Sequence, residues 1–138
     1  MKRFVLDCSV AMSWCFEDEA DSYANVMLDM LPESEAVVPS IWPLEVANVL
    51  LVAERRGRLT EAEGLQFLSL LCALPITVEY LTPTLHLEPI LSLGRRYNLS
   101  AYDAAYLELA MRNGLPLATL DERLREVAGR LGVALAAP

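Results

Sequence analysis

The chain has 138 residues, of which 54% are hydrophobic and 22% charged. That length fits one domain spanning residues 1–138, and the composition excludes a long disordered tail or a solvating acidic segment. Acidic residues number 19 against 11 basic ones, a net charge of −8, so the chain as a whole repels a phosphate backbone and any contact with nucleic acid must be local. Every basic residue except Lys2 is an arginine, which leaves almost no candidate for a catalytic lysine. Cys8, Cys15 and Cys72 form no C-x-x-C pair, which argues against a zinc ribbon or a disulfide framework and for a reducing cytoplasm. Lys2 and Arg3 before an apolar run imitate a signal peptide, but Asp7 interrupts the run. The longest uncharged stretch, residues 64–78, contains Pro75 and falls short of the roughly 20 residues that span a bilayer. The apolar surplus is expected to lie partly in an interface with another chain.

Phe4-Val5-Leu6 is short, apolar and partly β-branched, and reads as a buried strand closed by a polar tip at Asp7-Cys8-Ser9. Over residues 18–31, Tyr23, Val26, Met27, Met30 and Leu31 recur at helical spacing, with acids at the start and Pro32 after the end. Residues 36–39 give a second strand, and Pro43 opens a helix over residues 44–56 that carries Glu45 and Asn48 and stops at Gly57. Thr60 and Glu63 form a capping box ahead of Leu65, Phe67, Leu68, Leu70 and Leu71; Pro75 ends that helix, and residues 76–81 alternate like a strand. A helix over residues 84–97 follows. Behind the Ser100 cap another runs over residues 101–113, with Asp103 in its first turn and Gly114 at its end. Residues 117–120 form a buried strand ending at Asp121, residues 122–131 a helix, and residues 133–135 a last strand. Short apolar strands separated by helices predict an α/β fold of three layers, with helices on both faces of a short, mostly parallel central sheet.

In such sheets the functional crevice lies outside the carboxyl ends of the strands. Asp7 and Asp121 follow strands there, and Glu45 and Asp103 sit in helix first turns facing the same edge, so four carboxylates are expected to converge. Like charges at close range repel and raise one another's pKa, and a divalent cation makes such a cluster tolerable at neutral pH. Oxygen donors without His or Cys suit Mg²⁺ or Mn²⁺ better than zinc. The chemistry indicated is phosphodiester hydrolysis by an activated water, with the ion offsetting charge on the phosphate. Each acid also has an ordinary structural reading. The helix dipole favours Glu45 and Asp103 whatever the protein does, Asp121 can cap the helix that follows it, and Asp7 can be a turn residue. His86 and Cys8 read as structural, Tyr102 and Tyr106 as a packing pair, and Glu17 to Asp21 as a solvated helix start. Arg55, Arg56, Arg58, Arg95 and Arg96 read as solvated, and are also the best candidates for gripping phosphate.

In order along the chain, Phe-Val-Leu-Asp7-Cys-Ser9, Pro43-Leu-Glu45-Val-Ala-Asn48, Leu99-Ser-Ala-Tyr-Asp103-Ala-Ala-Tyr106 and Leu117-Ala-Thr119-Leu-Asp121 resemble the PIN-domain nucleases. Within that family the chain is most similar to the VapC-type toxins of prokaryotic toxin–antitoxin pairs, over nearly its whole length. The resemblance implies a metal-dependent endoribonuclease in which Asp7, Glu45, Asp103 and Asp121 are the catalytic and metal-binding acids. Mg²⁺ or Mn²⁺ would be the cofactor, and Ser9, Asn48 and Thr119 a supporting shell. It also implies RNA as substrate, a homodimer in the cytoplasm, no membrane association, and a small VapB-like antitoxin whose tail blocks the site. The groove for that tail is expected along the helices over residues 44–56 and 60–73, the greasiest amphipathic segments. The alternative is a non-catalytic PIN-type RNA-binding or scaffold module. A phosphoacceptor receiver and a D-x-D phosphatase fit poorly, because Cys8 and Ser9 stand where those classes need a second acid and no lysine follows Lys2.

Overall fold

Successive residues of a strand point to opposite faces of its sheet, yet Phe4, Val5 and Leu6 are each at most 1% exposed, so both faces of the sheet are covered. The computed structural model, which describes residues 2–138, shows how. Its elements are β1 (Lys2–Leu6), α1 (Cys8–Cys15), α2 (Ser22–Met30), β2 (Ser34–Pro39), α3 (Trp42–Arg55), α4 (Glu61–Cys72), β3 (Ile76–Glu79), α5 (Pro83–Tyr97), α6 (Ala101–Asn113), β4 (Leu117–Ala118) and α7 (Glu122–Arg130). The sheet is parallel throughout, in the order β3-β2-β1-β4, and with its helices forms the three-layer α/β/α arrangement expected. Among the described residues no helix is long and apolar enough to cross a membrane.

The strand order places the crevice. From β1 the chain adds β2 and then β3 on one side, then returns through α5 and α6 to lay β4 on the other side of β1. Between β1 and β4 the direction of winding reverses, and such a switch point opens a cleft at the carboxyl ends of its two strands. Asp7 leaves β1 there, its N–H donating to Ala118 O at 2.9 Å. Behind the cleft, α6 packs on β1, β2 and β4. Ser100 caps α6 by accepting from the Asp103 N–H at 3.1 Å, and Gly114 at φ +62° ends it. Buried Glu108 accepts from Arg112 Nε at 2.8 Å, and Arg112 also reaches Glu79, tying α6 to β3. At Gly64, where α4 crosses α3, a Cβ would meet Glu54 Oε1 at 2.6 Å, a clash the flexible Glu54 side chain can relieve by turning aside.

Four features depart from the sequence reading. The polar tip at Asp7-Cys8-Ser9 is instead the start of α1. That helix has no charged residue, and Cys8, Val10, Ala11, Met12 and Ser13 are all buried. A helix enclosed on most sides leaves no amphipathic period to read. The helix expected from residue 18 begins at Ser22, because Asp21 caps it by accepting from the Ala24 N–H at 3.1 Å, and Glu17–Glu19 form a 3-10 turn. β3 and β4 each stop two residues short of their predicted ends. The last expected strand reduces to one bridge between Leu117 and Leu135, since β4 offers only two residues to pair with.

Leu6 is fully buried where β1 meets the helical layers. Leu6→Ala is expected to lower the unfolding free energy by about 3 kcal/mol, read as a lower urea midpoint at unchanged m-value.

Candidate carboxylate site

Asp7, only 7% exposed, is the hub of a small hydrogen-bonded assembly. Ser9 Oγ and Thr119 Oγ1 each donate to Asp7 Oδ2 at 2.7 Å. Both hydroxyls are oriented by the backbone: Ser9 Oγ accepts from the Leu120 N–H at 3.0 Å, and Thr119 Oγ1 from the Asp121 N–H at 3.1 Å. With a backbone donor aimed at each oxygen, the single hydroxyl proton of each residue goes to Asp7. The first turn of α1 and the loop after β4 are thus joined through one carboxylate oxygen, while among the described residues Oδ1 has no side-chain donor.

The other three acids lie on the elements the sequence reading gave them. Glu45 lies in the first turn of α3, half-buried, and its Oε1 accepts from Tyr106 Oη at 2.5 Å. Asp103 lies half-buried in the first turn of α6. Asp121 is exposed and is the N-cap of α7, its Oδ1 accepting from the Leu124 N–H at 2.8 Å. Its structural reading as a cap is therefore correct as well. The acids feel one another. Burial pushes the Asp7 carboxyl above its ordinary pKa, assisted by the charge of Asp121 and opposed by Ser9, Thr119 and the Cys8 N–H. Burial likewise raises Glu45, with Asp7 and Asp103 adding to it and Tyr106 opposing. Asp103 is raised by burial and by the charges of Asp7 and Asp121. Among the described residues none of the four acids forms an ion pair.

An all-oxygen, negatively charged set without a cationic partner fits a hard divalent ion. Among the described residues no three His, Cys, Asp or Glu side chains stand together as a ready-made ligand set, so an ion here would keep part of its water shell. Mg²⁺ and Mn²⁺ suit that arrangement, Mg²⁺ in particular because it gives up water reluctantly.

Tyr106 is the residue the sequence reading missed. Tyr102 is 59% exposed whereas Tyr106 is fully buried and serves Glu45, so the two are not a packing pair. The available signal was spacing: Tyr106 stands three residues beyond Asp103 and shares its helix face. Asn48 is exposed on α3 and makes no hydrogen bond to the four acids among the described residues. His86 is structural as expected, its Nδ1 accepting from the Thr82 N–H at 2.9 Å. Cys8 is a core residue whose thiol is pushed up to about 12, first by burial and then by Glu45 and Asp7. Arg58 is already bound to Asp18 at 3.1 Å and Glu19 at 2.9 Å, and lies 4.2 Å over the Phe16 ring. Arg125, which the motifs did not single out, donates from Nε to Thr119 O at 2.7 Å.

The chain matches the family model for the PIN domain over residues 4–130. In structure it is similar to PAE2754 from Pyrobaculum aerophilum, at 20% identity and TM-score 0.68, covering 95% of this chain and 90% of that one. It is similar to VapC20 from Mycobacterium tuberculosis, a sarcin-ricin loop cleaving toxin, at 13% identity and TM-score 0.65, covering 98% and 99%. A toxin–antitoxin complex from Klebsiella pneumoniae is similar at 17% identity and TM-score 0.61, covering 86% of each chain. A search of curated proteins by sequence finds no match. At these identities the structural likeness speaks to the fold.

Because the folded state raises the pKa of Asp7, it prefers the neutral acid. The stability this group contributes is fully present below its unfolded pKa and is lost as pH rises through the folded one. Metal-free Asp7→Asn is therefore expected to be more stable than wild type near neutral pH, with the difference shrinking toward about pH 4. Urea unfolding across that range checks it, and a variant no more stable than wild type near neutrality contradicts the electrostatic description.

Proposed function

This chain belongs to the PIN-domain family, and on that premise we propose that it is a metal-dependent endoribonuclease, a VapC-like toxin restrained by a VapB-like antitoxin. The observation that supports the reading is that Asp7, Glu45, Asp103 and Asp121 lie at strand ends and helix first turns of a parallel sheet, near enough for their charges to act on one another, with Asp7 buried and, among the described residues, no ion pair to any of them. PIN domains are generally nucleases. Asp7, Glu45, Asp103 and Asp121 would hold Mg²⁺ or Mn²⁺, directly or through water. Such an ion, when bound, offsets charge on a phosphate and makes a water more acidic. Ser9 and Thr119 hold Asp7 in one orientation, and Tyr106 does the same for Glu45.

RNA as substrate is supported by the fold shared with VapC20, whose target is the sarcin-ricin loop. An antitoxin partner is supported by the likeness to a toxin–antitoxin complex and by the surface of α3 and α4. Leu44, Leu51, Leu65, Leu68 and Leu70 are exposed there, beside a cleft of about 280 Å³ lined by Trp42, Val46, Leu68, Leu71 and Ile76. The Trp42 indole N–H is buried without an acceptor among the described residues. We place the antitoxin tail on this face. Exposed Leu85, Leu87 and Leu91 on α5 leave a second apolar surface for the other copy of a homodimer. A cytoplasmic location suits three free cysteines.

Incubation of the antitoxin-free protein with total cellular RNA in Mn²⁺, followed by mapping of new ends, tests the activity. Discrete cuts are expected, abolished by EDTA and slowed at least about a hundredfold by Asp7→Asn or Asp103→Asn, more than loss of an outer-shell partner would produce. RNA left intact by wild type would favour the non-catalytic PIN module, and full-rate cleavage by either variant would refute the site.

A further inference from the structure

Each of three carboxylates in the site has one oxygen already committed within the protein. Asp7 Oδ2 takes the Ser9 and Thr119 hydroxyls, Asp121 Oδ1 takes the Leu124 N–H, and Glu45 Oε1 takes the Tyr106 hydroxyl. Two donors saturate Asp7 Oδ2, and a single donor on Glu45 Oε1 or Asp121 Oδ1 occupies one of that oxygen's two lone pairs, so each of the three carboxylates offers its free oxygen to an ion in preference to the committed one. Ca²⁺ fills a shell of about six to eight oxygens and readily takes both oxygens of a carboxylate, whereas Mg²⁺ and the similarly sized Mn²⁺ take about six ligands in an octahedron, one oxygen from each group. Of the three commitments, the one at Glu45 rests on a single neutral donor joining the first turn of α3 to α6 across 61 positions.

From this geometry we infer that Tyr106 is a positioning residue that makes Glu45 a one-oxygen ligand, and so biases the site toward Mg²⁺ or Mn²⁺ over Ca²⁺. The inference rests on the metal-binding reading above and goes beyond it by assigning ion selectivity to a residue that need not touch the ion. Three features support the assignment. The bond is short, at 2.5 Å. Tyr106 is completely enclosed, so its ring has no freedom to swing away. The hydroxyl is held on Glu45 by the same α6 face that presents Asp103, so the first turns of both helices are set together.

The test titrates metal-free wild type, Tyr106→Phe, Glu45→Gln and the double variant with MnCl₂ and with CaCl₂ by calorimetry, without any nuclease assay. Wild type is expected to prefer Mn²⁺. Tyr106→Phe, which keeps the buried ring, is expected to bind Mn²⁺ about tenfold more weakly, the low end for loss of an outer-shell partner, with Ca²⁺ affinity held or improved, so that the preference shrinks. In the Glu45→Gln background the same substitution should change Mn²⁺ affinity by less than about twofold, because the phenol acts through Glu45. A folded Tyr106→Phe with wild-type Mn²⁺ affinity and preference overturns the inference while leaving the metal site standing. An undiminished effect in the Glu45→Gln background also overturns it, by showing a structural role alone. Failure of wild type to bind Mn²⁺ removes the metal site itself and the inference with it. If Tyr106→Phe does not fold, Glu45→Asp serves instead: one methylene short of the phenol, it should lose the preference too, and an unchanged preference would overturn the inference.

Discussion

Asp7 lies inside the protein with other carboxylates near enough to resist its ionisation and, among the described residues, no cationic side chain paired with it. An unpaired buried charge is strongly destabilising, and the surroundings of Asp7 answer it only in part. Two hydroxyls donate to Oδ2, and hydrogen bonds to a charged group contribute about 1.5–3 kcal/mol each. Burial still prevails, because the net direction of the pKa is upward. What remains uncompensated is negative charge at the carboxyl end of β1, a condition that a divalent cation would relieve.

The fold holds that arrangement in place through contacts that would be costly to relax. The Asp7 N–H is the last link between β1 and β4, and the residue after Asp7 begins a helix that is itself largely buried. The Asp7 backbone therefore cannot withdraw without opening the pairing of β1 with β4. Glu45 and Asp103 approach from helix N-termini, whose dipoles favour a negative charge and offset part of the repulsion. Asp121 does two things at once, capping α7 with Oδ1 and adding its charge to the cluster. The structural and functional readings of such an acid are not exclusive, since a cap uses one oxygen and an ion needs only the other.

The sheet and the acids were legible in the sequence for the same reason: short β-branched apolar runs in a buried parallel sheet end in a polar residue only where the chain emerges at the cleft. Phe4 to Asp7 and Leu117 to Asp121 both follow this rule. α1 escaped because a helix enclosed by neighbours has no polar face to reveal its period. Tyr106 escaped because its partner Glu45 lies on another element, so its role exists only once α3 and α6 are packed. Arg58 looked free for phosphate, but the fold brings Asp18 and Glu19 to it from far along the chain. Local pattern identified which residues carry charge, while tertiary packing decided which charges are already neutralised.

If the acids hold a cation through oxygens chosen by hydrogen bonds within the protein, anomalous scattering from a crystal soaked in Mn²⁺ will locate it. A manganese peak is expected against Asp7 Oδ1 and Glu45 Oε2, with Asp7 Oδ2 still bound to Ser9 and Thr119 and Glu45 Oε1 still bound to Tyr106. A peak elsewhere, no peak, or an ion held by both oxygens of Glu45 would contradict that expectation.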